Sequence, residues 1–311
     1  MVDKLNNQPL LKVENLVMHF EIRSGFFSSI SGYVRAVDDV SFELKRAQTI
    51  SLVGESGCGK TTTGRSILKL EEPTSGNVYF NGKNLLEMKE GELRKIRSEM
   101  QMIFQDPFSS LDPRMSIGES VAEPMLIHNV YYGKELREKV DDLLITVGIP
   151  PENASRYPHE FSGGQRQRIC IARALGPQPA LIIADESVSA LDVTIQAQII
   201  NLMMELQDEF GISFVFISHD MAVVERISHK VAVMYLGRIV EIGSRKQIFE
   251  NPSHPYTQKL LNAVPIANPK KKQKIREQSS EEVPSPIKPL SYEAPPVKMN
   301  EIDEGHFVSL N

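Results

Sequence analysis

The chain has 311 residues, 41% of them apolar, a formal charge of −5 and only two cysteines, Cys58 and Cys170. That length suits one large core with an appendage, or two domains. The charge excludes the global basic field of a dedicated nucleic-acid binder. Two distant cysteines fit a reducing cytosol and exclude a four-cysteine cluster or a zinc site built from this chain alone.

In chain order, the opening MVDKLNNQPLLKV lacks the apolar stretch of a signal peptide. No apolar run reaches the roughly 18 residues needed to span a bilayer, so work at a membrane would need another subunit for the membrane part. LLKVENLVMHFEI and AVDDVSFEL alternate with period two and predict strands. QTISLVG predicts a short apolar strand running into a glycine-rich loop, GRSILKL a helix, and SGNVYFNGKNL a turn and a strand. From Pro107 to about Glu160, SIGESVAEPMLIHNV and KELREKVDDLLITVGI carry apolar residues at helical spacing, which predicts a helical insertion between sheet elements. ALIIADE, SFVFISH and KVAVMYLG are short continuous apolar runs, as expected of parallel strands buried on both faces. Helices near Val193–Phe210 and Met221–Ile227 complete an alternating β/α pattern. Beyond about Pro265 the chain turns rich in Pro, Lys, Glu and Ser, and this composition predicts a solvated linker outside the core.

Five segments carry chemistry. GESGCGKT (Gly54, Glu55, Ser56, Gly57, Cys58, Gly59, Lys60, Thr61), followed by Thr62, matches a phosphate loop between a predicted strand and a predicted helix. Its glycines let backbone N–H groups curl around phosphate oxygens; Lys60 can neutralise their charge and the Thr61 hydroxyl can ligate Mg²⁺. LIIADE ends a buried strand in two acids at the sheet edge where ligands of open α/β folds bind. There Asp185 would hold Mg²⁺ and Glu186 would polarise an attacking water. His219 ends the next apolar strand beside the same edge, placed to sense a terminal phosphate. Gln105, in MIFQDPF, ends another, where an amide can reach Mg²⁺ and the water. Finally, FSGGQRQRICIARAL opens a helix with serine and two glycines, a second anion site on backbone N–H groups.

Taken together, FSGGQ, with Asp185 twenty residues after Gln165, the phosphate loop, the Gln105 loop, the SALD turn and His219 occur in the order found in ATP-binding cassette proteins, which the chain resembles from about Leu10 to Leu261. The resemblance implies an α/β P-loop NTPase cassette over residues 1–264, with a mixed central sheet, an N-terminal antiparallel β-subdomain and a helical insertion at about 107–160. A Pro-rich C-terminal extension would follow over 265–311. It implies ATP and Mg²⁺ as cofactors, with Thr61, Gln105 and Asp185 around the metal. Ser162, Gly163, Gly164 and Gln165 would act in trans on the nucleotide of a second cassette subunit, and Asp192 would lie in the dimer turn. An N-terminal aromatic would stack on adenine, Phe20 first and Tyr33 second. Further stretches, among them QDPFSSLDPRMSIGESVAEPMLIH and IFENPSHPYTQKLL, are similar to the ATPase subunits of bacterial oligopeptide/dipeptide importers.

Such a subunit would lie peripherally on the cytoplasmic face of the membrane. It would pair with a sister ATPase chain and two permease subunits, served indirectly by an extracytoplasmic substrate-binding protein and contacting no nucleic acid. Some members bind an iron–sulfur cluster through cysteines of the extension; none follows Cys170 here, so no cluster is expected. Two positions depart from the common pattern: Ser187 stands where proline is usual and Phe161 where leucine is commoner. Cargoes other than peptides, such as nickel chelates, use ATPases of nearly this sequence. A soluble cassette ATPase is the rival of another class; a P-loop kinase or GTPase would leave FSGGQ unexplained.

Overall fold

The structure, a computed structural model, describes residues 8–24, 28–263, 287–289, 292 and 297–310. Its strands are β1 (Leu11–Ser24), β2 (Ser29–Leu44), β3 (Thr49–Val53), β4 (Ser75–Phe80), β5 (Lys83–Asn84), β6 (Met100–Ile103), β7 (Leu181–Asp185), β8 (Ser213–Ser218), β9 (Lys230–Tyr235), β10 (Arg238–Ser244), β11 (Ile287–Pro289), β12 (Met299–Asp303) and β13 (His306–Ser309). The helices are α1 (Lys60–Ile67), α2 (Glu90–Ile96), α3 (Pro107–Ser110), α4 (Ile117–Ile127), α5 (Gly133–Thr146), α6 (Gly163–Leu175), α7 (Val193–Phe210), α8 (Met221–Ile227), α9 (Arg245–Glu250) and α10 (Pro255–Ala263).

Every residue of β3, β7 and β8 is buried, because helices or the second sheet cover both faces, and continuous apolar runs are the sequence that such strands require. They pair in parallel, with β3 between β8 and β9, and β7 between β8 and β6. The sheet becomes mixed where β9 turns back into antiparallel β10 through Leu236 and Gly237, both at positive φ, the backbone that a tight hairpin demands. A second, antiparallel sheet runs in the order β11-β2-β1-β4-β5. Helices α4 and α5 form the insertion and share one apolar core with α6, β7 and β8, through Met125, Leu144, Ile169, Ile182 and Phe214 among others. The architecture is the α/β cassette with a mixed central sheet and an antiparallel N-terminal sheet.

This topology sets one edge of the parallel sheet apart. The phosphate loop leaves the carboxyl end of β3, and Glu186, His219 and Gln105 follow the ends of β7, β8 and β6. Four loops from separate parts of the sequence therefore converge at the edge where open α/β sheets bind ligands.

The tail corrects the expectation of a solvated linker. The lysine run lies outside the described residues, but β11 pairs with β2, and β13 pairs with β10 and with β12, so the last strands extend both sheets. His306 is buried with its Nε2 2.8 Å from Oε1 of the fully buried Glu241, and Val308 packs beside them. The few apolar residues of HFVS are enough for a short strand, because β10 and β12 supply hydrogen-bond partners on both sides; composition averaged over the whole tail conceals so short an element.

Candidate active site

The phosphate loop holds its shape through backbone conformations open to glycine. Gly59 has φ 103°, and a Cβ there would lie 1.9 Å from the Ala36 carbonyl oxygen; at Gly54 (φ 150°) it would lie 2.2 Å from that of Met234. Ser56 and Gly57 form the exposed rim, while Cys58 is buried, its thiol pushed up by burial against the pull of the Lys60 charge. Lys60 is 4% exposed and its Nζ donates to the carbonyls of Gly54 and Glu55, both at 2.9 Å. Thr61 and Thr62 follow on the first turn of α1, half-buried.

Thr61 ties this loop to the acids: its hydroxyl donates to Asp185 Oδ1 at 2.8 Å. Burial pushes the Asp185 carboxyl up, assisted by the Glu186 charge and opposed by the Thr61 bond and the Arg65 and Lys60 charges. A buried carboxylate beside a hydroxyl, with the Gln105 amide near, is a set of hard oxygen donors suited to Mg²⁺. Among the described residues no group of three or more His, Cys, Asp or Glu could hold a metal. A metal here would thus rest on a single carboxylate, the neighbouring hydroxyl and amide oxygens, and phosphate, the habit of Mg²⁺ in nucleotide sites.

Glu186 has φ 44°, a left-handed conformation uncommon for this residue type, fixed by its N–H donating to the Ile217 carbonyl at 2.9 Å. Its carboxylate accepts from Gln105 Nε2 at 3.0 Å, and its other oxygen lies 3.4 Å from His219 Nδ1. Gln105, Glu186 and His219 are thus assembled, with Asp185 one residue away. The segment after Gln105 leans on α6: the Arg166 guanidinium lies 4.0 Å over the Phe108 ring, and Arg173 donates to the Ser110 carbonyl.

The other predicted residues lie apart. Ser162 caps α6 in a reciprocal box, accepting from Gln165 N–H at 3.3 Å while its own N–H donates to Gln165 Oε1 at 3.0 Å. Ser162 is exposed at the start of α6, and Gly163 and Gly164 form its first turn. Among the described residues no hydrogen bond or ion pair joins these four to Lys60, Thr61, Asp185 or Glu186. Asp192 is exposed and caps α7 through Ile195 N–H at 3.0 Å. Phe20 is 39% exposed and so not a core aromatic. It pairs with Val34 while Tyr33 pairs with Glu21, which puts the two aromatics on opposite faces of the β1–β2 ribbon; one base can stack on only one of them.

Sequence reasoning missed two contacts. Asp38, buried within β2, accepts from Arg238 and Arg35 and lies 3.2 Å from His19 Nε2. Tyr256 Oη accepts from the Glu55 N–H of the phosphate loop at 3.0 Å. No local signal announces the Arg238–Asp38 or the Glu55–Tyr256 contact, whose partners lie 200 and 201 positions apart; only NPSHPYTQ, which carries Tyr256, stood out as a motif.

An ABC transporter family model matches residues 37–189, and one for the oligopeptide/dipeptide transporter C-terminal region matches 240–290. The glutathione import ATP-binding protein GsiA of Pectobacterium atrosepticum is 55% identical over 302 residues, 97% of this chain and 48% of that protein. GsiA of Escherichia coli K12 is 54% identical over 305 residues, 98% of this chain and 49% of that protein. The chain thus spans about half the length of these curated relatives. Among solved structures, the dimeric post-hydrolysis state of the ATP-binding cassette MJ0796 bound to ADP and Pi aligns with TM-score 0.67 and 27% identity, over 76% of this chain and 98% of that one. CbiO1 from Clostridium perfringens, part of the ABC transporter complex cbiONQ, aligns with TM-score 0.67 and 27% identity, over 79% and 92%. The chain belongs to the ATP-binding cassette transporter family, in the group that carries the oligopeptide/dipeptide transporter C-terminal region.

Proposed function

We propose that this chain binds Mg·ATP, hydrolyses it and thereby drives an importer for peptide-class cargo, short peptides of the size of glutathione included. The observation that carries the hydrolytic reading is the Glu186 carboxylate, held between Gln105 and His219 and one residue beyond Asp185, which is itself bonded to Thr61 of the phosphate loop. Glu186 would accept the proton of the attacking water, oriented by Gln105, while His219 faces the terminal phosphate. Lys60 and the loop N–H groups would hold the phosphates; Mg²⁺, held by Thr61, Asp185 and Gln105, would supply charge neutralisation there. Import of a short peptide is favoured by the matched C-terminal region and by the relatives named for glutathione import.

We read residues 1–264 as the cassette, with the insertion at about 107–160, and 265–311 as its extension. Ser162–Gln165 lie apart from the phosphate loop, with Ser162 and Gln165 exposed, which suits action on the nucleotide of a second cassette, most simply a sister chain. A cleft of about 690 Å³ lined by Phe104, Gln105, Glu123, His128 and Arg173 joins the insertion to the Gln105 loop, and would receive a permease. No helix among the described residues is long and apolar enough to cross a membrane. The membrane part would therefore come from permease subunits, with this chain on their cytoplasmic side.

Glu186→Gln tests the reading. The amide keeps its size and can still accept from Gln105, but cannot take a proton. ATP binding should persist while turnover falls about 10²–10⁴-fold, the usual contribution of general-base assistance. With its partner present, the variant should accumulate as an ATP-bound dimer on gel filtration. Hydrolysis near the wild-type rate would remove Glu186 from the mechanism and turn attention to His219.

A further inference from the structure

We propose that Tyr256, on helix α10 in the C-terminal region, is a positioning residue for the phosphate loop and helps set the affinity for nucleotide phosphates. The inference rests on the ATP-binding reading above.

The contact falls on a single peptide unit. The carbonyl of Gly54 and the N–H of Glu55 belong to one planar trans amide and point in opposite directions. Lys60 Nζ donates to that carbonyl at 2.9 Å, and the N–H donates to Tyr256 Oη at 3.0 Å. Tyr256 therefore fixes the plane whose other end holds the lysine. It also takes up the Glu55 donor, so that this N–H is turned towards α10. Rotation of the amide would move the Lys60 anchor and the start of the loop together.

Tyr256 is itself held on two sides. Its ring lies 4.4 Å from that of Tyr235, and the neighbouring Met234 carbonyl is the group against which Gly54 is pressed. Its N–H donates to His254 Nδ1 at 3.1 Å. The N–H groups of Ser253 and His254 donate to the Glu241 carboxylate at 2.8 and 2.9 Å, and Glu241 meets His306 of β13 at 2.8 Å. Polar contacts thus run from the C-terminal hairpin through Glu241 and the turn before α10 to the loop. Burial pushes the Tyr256 hydroxyl well up, so it remains neutral and able to accept at any physiological pH.

Tyr256→Phe removes only the hydroxyl and leaves a part-buried N–H without its acceptor. The equilibrium affinity for Mg·ATP should fall about 5–30-fold, the factor that corresponds to one to two kcal/mol. Tyr235→Phe, which keeps the ring contact, should bind like wild type. A merely structural tyrosine would lower the unfolding midpoint of the Phe variant and leave its affinity in the folded state unchanged. Wild-type affinity in a folded Tyr256→Phe chain, with the wild type binding ATP, would overturn the positioning role alone. Failure of the wild type itself to bind would overturn the ATP-binding reading and this one with it. Should the Phe variant not fold, hydrogen exchange of the wild type decides. The Glu55 amide should exchange far more slowly than those of the exposed Ser56 and Gly57, and equal rates would overturn the contact.

Discussion

Asp185 shows how much a single side chain in this site depends on its surroundings. Its carboxyl is 2% exposed and pushed up by burial, so the folded chain holds the proton more tightly than the unfolded chain does. Stability contributed by such a group falls as pH rises from the unfolded carboxylate value of about 4 through the folded one. Asp185→Asn removes that cost and lets the amide oxygen still accept from Thr61. Without Mg²⁺ the variant should melt at or above the wild-type temperature at pH 8, with the difference shrinking towards pH 4, while Mg²⁺-dependent ATP binding is lost. Thermal melts across that range check this, and a lower melting point at pH 8 would show that the carboxylate is fully compensated. The identities of Asp185, Glu186, Gln105 and His219 were all legible in the sequence, because each ends a recognisable apolar strand. The hydrogen bond from Gln105 to Glu186 and the approach of His219 to the same carboxylate were not, since they depend on the order of strands in the sheet and on the left-handed backbone at Glu186.

At the scale of elements, α6 was legible from its opening residues alone. Ser162 and Gln165 form the capping box that the spacing suggests, and the apolar residues that follow are buried in the insertion core. Ser162→Arg removes that cap, at a cost of about 1 kcal/mol, and adds a cation where the helix end is already positive. Because no hydrogen bond or ion pair joins Ser162 to Lys60, Thr61, Asp185 or Glu186, Mg·ATP binding by the isolated chain should stay within about twofold of wild type. Transport by the assembled complex should stop. Loss of nucleotide binding by the monomer would contradict action in trans. The strands β3, β7, β8 and β9 were equally legible, as fully covered strands need continuous apolar runs. The short strands β5, β11 and β13 were not, because two to four residues carry too little pattern to separate a strand from a loop.

For the whole molecule, the tail matters most. Ending the chain at Ala263 would strip β11 from the antiparallel sheet and both β12 and β13 from one side of the mixed sheet, and would leave the buried Glu241 without His306. A hydrogen bond to a charged group contributes about 1.5–3 kcal/mol. The shortened chain should therefore unfold at lower urea than the full chain, by at least that free energy, against the composition-based expectation that the cassette would be indifferent to its tail. An unchanged midpoint would make the hairpin a passenger.

By itself the sequence determined the phosphate loop, the acids after β7, the capped signature helix and the alternating β/α order. Each of these is written in neighbouring residues: glycines where the backbone needs positive φ, apolar runs where strands are covered, a cap where a helix begins. Tertiary structure alone decided that Phe20 and Tyr33 face opposite ways, that β13 joins β10, and that Tyr256 meets Glu55 across 201 positions of sequence. Such contacts follow from register and chain closure, and these are fixed by how distant strands share hydrogen bonds rather than by any local pattern.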